Sequence, residues 1–436
     1  MKKVLILGAG LVAKPIVEYL LQNGFSIMVA SPMKERADEM IAGHPDGRSL
    51  FWTMDETAVL ERLVAEYDIT VSLLPYSFHS AVARICLKHR KSLVTTSYVQ
   101  KEMQSMEKDA VDAGVLFLNE IGLDPGIDHM SAMKIIDDIH KRGGKVDEFY
   151  SICGALPAPE AADNPLRYKF SWSPKGVVLA SRNSALYLKD GKRVFVEPVN
   201  LFKDIFEIDF PGVGPLQVYP NRDSISYQDI YRIPEARTMF RGTFRFRGWC
   251  ETLDLMKSIN MLDDEPKDYS GFTYSDFIAE RAGTGRSDTR NELCKKTNLK
   301  TNSTAIMALE WLGFFENREI GCSVTTPFEI SSDLMISKMS LGENERDMVV
   351  LQHIFHASFP GGIKETIKSS MLDFGTPSTN TSIARTVALP AAIAVKLILE
   401  KKIQLSGVHR PVIPEIYLPV LEGLEKLGIK MQEEYF

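Results

Sequence analysis

No two of the five cysteines, Cys86, Cys153, Cys250, Cys294 and Cys322, form a C-x-x-C pair, so neither a zinc site nor a disulfide framework is indicated. No metal is expected, and a reducing cytoplasm fits best. Excess positive charge is also missing. The 51 Lys and Arg are outnumbered by 57 Asp and Glu, a formal net charge of -6, which argues against nonspecific nucleic-acid binding. A few pocket arginines would still serve an anionic small molecule. No uninterrupted apolar run reaches membrane-spanning length; the nearest, Val387 to Leu399, is short and contains Pro390 and Lys396, so no membrane association is expected. The first residues read as a buried strand and lack a signal peptide's apolar region. Repeats and low-complexity tracts are absent too. What remains is an ordinary globular composition over 436 residues, room for two or three domains.

Val4-Leu5-Ile6-Leu7 is the kind of apolar run buried in a parallel sheet, and Gly8-Ala9-Gly10-Leu11-Val12-Ala13 follows at once, leading into a helical pattern through Leu21. This G-x-G-x-x-A has a mechanical reading. Gly8 makes the tight turn, Gly10 lets backbone approach a pyrophosphate, and Ala13 lets helix pack on strand, while the amides at the helix start favour phosphate charge. A dinucleotide-binding domain is therefore expected.

The second strand, Ser26 to Ala30, lacks an acidic residue at its tip, where one would hold the ribose hydroxyls of NAD. Ser31-Pro32-Met33-Lys34-Glu35-Arg36 stands there instead. Lys34 and Arg36 suit a 2'-phosphate, or equally a solvated helical turn, so NAD and NADP both stay open. Further strands are expected at Ile69 to Leu74, Leu93 to Thr96 and Val115 to Leu118. Loops after such strands line the ligand crevice, which singles out Pro75-Tyr76, Ser97-Tyr98 and Asn119 to His129.

That last stretch, with Asp124-Pro125-Gly126 at its centre, reads as the joint between a cofactor domain and a substrate domain. A helix over Met130 to His140 is expected after it, with Asp128 as its cap, which gives His129 and His140 structural explanations. Then come a strand into the loop Cys153 to Pro159, and Asn164 to Ser173, whose aromatic, hydroxyl and cationic residues suit a pocket wall. In Arg241 to Arg247 the strand period puts Arg241, Arg245 and Arg247 on one face, either as a carboxylate clamp or, preferably for Arg247, as a solvated face. Cys250 to Arg318 reads as helical with a loop at Gly283-Thr284-Gly285, and Phe328 to Leu341 and Met348 to Phe359 as strands. An Ala-rich helix over Ile383 to Glu400, and another from Leu418 to Leu427 with Pro419 in its first turn, close the chain.

Ser72-Leu73-Leu74-Pro75-Tyr76, Thr96-Ser97-Tyr98, Asn119 to His129, Cys153 to Pro159, Tyr168 to Ser173, Tyr219 to Ser224 and Arg241-Gly242-Thr243 occur in an order that resembles saccharopine dehydrogenase of the L-glutamate-forming type, also called saccharopine reductase. The resemblance spans nearly the whole chain, and the part after Asn119 is similar to the saccharopine dehydrogenase half of the animal bifunctional lysine-degrading enzyme. It implies an α/β fold: a Rossmann doubly wound parallel sheet over 1–125 and a mixed α/β substrate domain over 126–250 and 321–380. A small helical lobe over 251–320 and helices over 381–436 that return to the first domain complete it.

The implied cofactor contacts are Gly8, Ala9, Gly10, Leu11, Val12, Ser31, Asp55, Leu74, Ser97, Leu123 and Ser173. Those to saccharopine are Ser97, Tyr98, Asp124, Arg222, Thr243 and Arg245. At Ser31 the fungal pattern has arginine, and at Pro32 the animal pattern has an acid, so the cofactor preference follows from neither. The implied reaction is reversible, NAD(P)-dependent oxidation of saccharopine to glutamate and 2-aminoadipate 6-semialdehyde in lysine metabolism. Asp124, Tyr98 and Cys153 are the candidates for proton transfer, with water as the alternative carrier; Asp124 comes first, with a competing role as an amine-orienting carboxylate, and Cys153 is better explained as a small buried residue. A homodimer is compatible with this. The alternatives are a related imine reductase such as carboxynorspermidine dehydrogenase, or a noncatalytic dinucleotide-binding module; Arg222 and Arg245 speak against the first.

Overall fold

The computed structural model describes residues 1–436 and divides them into two compact units, Met1–Val146 with His356–Phe436, and Asp147–Phe355.

In the first unit, β1 (Lys3–Leu7), β2 (Ser26–Ser31), β3 (Gly47–Phe51), β4 (Ile69–Ser72), β5 (Ser92–Thr95) and β6 (Leu116–Leu118) form a parallel sheet. Their order, β6-β5-β4-β1-β2-β3, is that of a doubly wound dinucleotide fold, and the late strand Gly407–His409 extends it beyond β6. Val4 to Leu7 are fully buried because helices cover the sheet on both faces, which is why β1 carries no polar alternation. Helix α1 (Lys14–Gln22) buries Ile16, Val17, Leu20 and Leu21.

The Ala-rich segment forms the helix Ser382–Leu399, which packs on α1 and donates a hydrogen bond from Lys396 Nζ to Asn23 Oδ1 at 2.7 Å. Arg385 and Lys396 interrupt its apolar run. The helix is long and apolar enough to cross a membrane by length and composition, but 67% of it is buried inside the protein, as in a core helix. The final helix is Pro414–Lys426, so Pro419 lies inside it rather than in the first turn.

In the second unit, β7 (Lys145–Pro157), β8 (Ala185–Lys189), β9 (Lys192–Val196), β10 (Phe206–Phe210), β11 (Gly214–Pro220), β12 (Arg222–Asp223) and β13 (Thr238–Arg245) build a mixed sheet. Its path runs β10-β11-β13-β7 and on to Asp347–Phe359, with β13 antiparallel to β11 and parallel to β7. Helices Trp249–Ser258, Tyr274–Ala282, Thr289–Thr297 and Thr304–Leu312 occupy the region read as helical, and Gly283 to Gly285 is a loop.

Three local expectations are corrected. Phe328 to Leu341 is not a strand: Pro327–Lys338 is a helix, nucleated by Thr326, whose hydroxyl accepts from the Glu329 amide at 3.1 Å, and by Pro327 in its first turn. Asp128 does not cap its helix from outside, because Ile127–Lys141 already includes it; its carboxylate accepts from the Gly126 amide at 2.6 Å. Arg247 leaves the face of Arg241 and Arg245, since β13 ends at Arg245, and it pairs with Glu207 at the surface.

Candidate functional site

At the carboxyl edge of the parallel sheet the glycines do separate jobs. Gly8 has φ +105°, and a Cβ there would lie 3.1 Å from the Leu73 carbonyl oxygen, so both conformation and space favour glycine. A Cβ on Gly10 would meet nothing within 4 Å. The backbone there is open to a ligand at the start of α1. Around it stand exposed apolar side chains just after or at the strand ends: Leu11, Met33, Phe51 and Tyr76, from 43% to 69% exposed. An open glycine turn with apolar surface on the carboxyl side of the strands fits a dinucleotide.

The other expected cofactor residues are variously placed. Ala9 and Leu123 are buried, Val12 and Leu74 half-buried, and Asp55 exposed. Ser31 is fully buried, and its hydroxyl accepts from the Met33 amide at 3.1 Å, so its side chain shapes the turn. Lys34 is engaged with Asp38 at 2.6 Å. Ser173, in the second unit, is exposed and precedes the helix Pro174–Ala180.

The stretch Asn119 to His129, which lies within the first unit, folds on itself. The Gly122 amide donates to the Pro125 carbonyl at 2.9 Å, and the Ile127 amide to the Gly122 carbonyl at 2.8 Å. Gly126 sits at φ +147°, where a Cβ would fall 2.0 Å from the Gly122 oxygen; no side chain fits. The loop presents Asp124, whose Oδ1 accepts from the Tyr98 hydroxyl at 3.1 Å. Two of the proton-transfer candidates are thus brought together.

Glu120 holds both sides of Tyr98. Its amide donates to the Ser97 carbonyl at 3.1 Å, and its Oε1 accepts from the Val99 amide at 2.9 Å. The same carboxylate accepts from Arg410 Nε at 2.8 Å and lies 2.8 Å from His129 Nε2, and it is 2% exposed. Burial alone would raise its pKa; the His129 hydrogen bond, with the charges of His129 and Arg410, holds it down at about 2. Glu120 is therefore ionised and fully partnered.

In the second unit, β13 gathers the other expected residues. Thr243 is paired with Tyr219 on β11 and with Cys153 on β7, and Arg245, two residues on, follows on the same face. Arg245 is 5% exposed and its guanidinium lies among rings, 4.9 Å from Tyr168, 5.5 Å from Trp249 and 6.0 Å from Tyr219. Its one hydrogen bond is from Nη1 to the Phe244 carbonyl, at 2.8 Å. Nε has no partner, and no carboxylate lies in ion-pair range. Gln217, directly opposite on β11, is also buried, and its carbonyl oxygen is unpartnered. Arg222 differs: it is exposed, at φ +50° in the short strand β12. Cys153 is 8% exposed.

Sequence reasoning missed Glu120, Arg410, Gln217 and Trp249 as parts of these arrangements. An acid inside a strand-ending motif was the available signal for Glu120; Arg410 sits 290 positions away and carried none. His79 was missed as well, although it follows the Pro75-Tyr76 loop.

Comparison with known proteins accords with this geometry. Residues 4–118 match the saccharopine dehydrogenase NADP binding domain family, and residues 122–429 the saccharopine dehydrogenase C-terminal domain family. A saccharopine dehydrogenase [NADP(+), L-glutamate-forming] of Schizosaccharomyces pombe is 37% identical over 452 residues, covering 100% of this chain and 99% of that one. The mitochondrial alpha-aminoadipic semialdehyde synthase of Bos taurus is 36% identical over 98% of this chain, which spans 47% of that protein. The apo structure of L-Glu-forming saccharopine dehydrogenase from Saccharomyces cerevisiae superposes with a TM-score of 0.93 at 34% identity, over 100% of both chains. With both domain families matched and a fungal relative aligned end to end, the chain belongs to the saccharopine dehydrogenase family.

Proposed function

We propose that the protein is an NAD(P)-dependent oxidoreductase acting on the CH-NH group of saccharopine, reversibly forming glutamate and 2-aminoadipate 6-semialdehyde in lysine metabolism. The observation that carries this reading is Arg245, a buried guanidinium with no acid to balance it. A charge left in that state is stabilised by a ligand carboxylate, and saccharopine has three; the planar fork suits such a group. The fungal relatives that align with the chain end to end bear the corresponding name.

NAD(P), when bound, would supply the hydride acceptor for oxidation of the secondary amine to an imine. Gly8, Ala9, Gly10, Leu11 and Val12 hold its pyrophosphate in this reading, with Ser31, Asp55, Leu74, Ser97, Leu123 and Ser173 as the further contacts. The chain's own residues do the rest. Arg245, Arg222 and Thr243 anchor the substrate, and the Gln217 carbonyl is free to accept from an ammonium. Asp124, aligned by the Tyr98 hydroxyl, takes the proton released as water adds to the imine and the carbinolamine collapses. Ser97 completes the substrate contacts. Cys153, buried beside Thr243, serves as packing in preference to proton transfer. A cytoplasmic location is part of the same reading, supported by five unbridged cysteines.

The test is saccharopine-dependent reduction of NAD and of NADP, followed by nicotinamide absorbance, with imines of diamines as competing substrates in the reverse direction. Reduction with saccharopine supports the reading. Turnover of the diamine imines alone would assign a different imine reductase, and no turnover with either would leave a binding module.

A further inference from the structure

Ser72, His79 and Thr95 form a cluster around Ser97, and of these four residues the reaction as described uses Ser97 alone. Ser72 closes β4, Thr95 closes β5, and His79 opens the helix His79–Lys88. The His79 ring is 3% exposed. Its Nδ1 lies 2.9 Å from Ser72 Oγ, and its Nε2 lies 2.9 Å from Ser97 Oγ and 3.1 Å from Thr95 Oγ1. Burial pushes its pKa down to about 4, so the ring is neutral at ordinary pH, with one N–H and one lone pair. Hydroxyls rotate to suit either tautomer, and both ring nitrogens are therefore satisfied in each.

We infer that His79 is a positioning residue for Ser97: clamped between two strand ends, its imidazole fixes where the Ser97 hydroxyl points at the carboxyl edge of the parallel sheet. The inference rests on the reading that the Ser97 hydroxyl meets the bound ligand. Ser97 itself is only half-buried, and its hydroxyl has no other side chain to hold it. Proton relay is not the role, because the far end of the cluster is closed. Ser72 is fully buried and Thr95 is 1% exposed, so a proton passed inward would have no outlet to water. Without the ring, Ser97 would retain its backbone place, held by Glu120, but lose its preferred rotamer.

The bland reading is that His79 only fastens β4 to β5, which would lower stability and leave ligand response intact. A mutant cycle separates the two. Ser97→Ala, His79→Ala and the double variant are compared for kcat and KM toward saccharopine and cofactor, alongside thermal melting. Losing one well-directed hydrogen bond predicts roughly a 10-fold fall in kcat/KM for each single variant, and no further fall in the double. His79→Gln, which keeps a donor and an acceptor, should recover part of the loss and serves for the cycle if the alanine variant does not fold. Losses that multiply in the double variant, or an unchanged kcat/KM in a destabilised His79 variant, overturn the positioning role while leaving Ser97 in the site. An unaffected Ser97→Ala overturns the ligand contact, and the inference with it.

Discussion

Glu120 in the first unit and Arg245 in the second are both nearly excluded from water, at 2% and 5% exposure, yet their surroundings differ in kind. Glu120 has Arg410, His129 and the Val99 amide around its two oxygens. Arg245 has three aromatic rings, one backbone carbonyl and an unpartnered Nε. A buried charge matched by side chains from the same chain is part of the framework, because removing it strands its partners. One surrounded by neutral groups is costly to the folded protein alone and becomes favourable when an opposite charge arrives from outside. The contrast separates a charge matched within the framework from one that, in the proposed reading, meets the substrate.

The largest expected effect tests the framework half. Glu120→Gln should cost about 3 kcal/mol of folding stability, read as a large fall in Tm, since His129 and Arg410 lose their shared counter-charge. In the native protein the same carboxyl should appear in acid titration. Its folded pKa, about 2, lies below the ordinary 4.5, so its contribution is fully present above pH 4.5 and lost as pH falls toward 2. Glu120→Gln should flatten the melting curve's dependence on pH across that window.

Arg245→Met should behave in the opposite way. Its kcat/KM for saccharopine should fall by roughly 100-fold, as expected for the loss of a desolvated charge pair, with Tm unchanged or higher. A fall in Tm as large as that of Glu120→Gln would make Arg245 a framework residue and dissolve the contrast. Smaller again, Tyr98→Phe removes one hydrogen bond to Asp124, and kcat should drop roughly 10-fold with little change in the KM for cofactor. An unchanged kcat would remove the pair from proton transfer. Arg247→Ala sharpens the comparison from the other end: the exposed ion pair with Glu207 should be dispensable, and kinetics and melting should match the parent.

Much of the fold was legible because it rests on local rules. The apolar run of β1, the glycines after it and much of the β-strand and helix alternation up to Leu118 follow from residues close in sequence, and the five strands expected there stand within a residue or two of their expected ends, while β3 was not foreseen. Phe328 to Leu341 misled because its apolar residues suit either period; the Thr326 and Pro327 start signal was the deciding cue. Arg247 was placed on the strand face because strand period was extended past the strand's end, while its preferred reading as a solvated residue holds. Of the candidate site, Asp124 and Tyr98 were legible as loop residues after strands, and Thr243 and Arg245 through their motif and period. The hydroxyl partners of His79 lie 7, 16 and 18 residues away, at two strand ends and in the loop after the second, and no local pattern marks them as neighbours.

By itself, then, the sequence determined the dinucleotide turn, the turn at Asp124-Pro125-Gly126 and the family to which the chain belongs, because glycine geometry and motif residues are written in short stretches of sequence. Only the tertiary structure decided which buried charges are matched. That Glu120 is claimed by Arg410 while Arg245 is left without an acid depends on burial and on contacts between distant segments, and the free energy of a charge is set by what surrounds it in space.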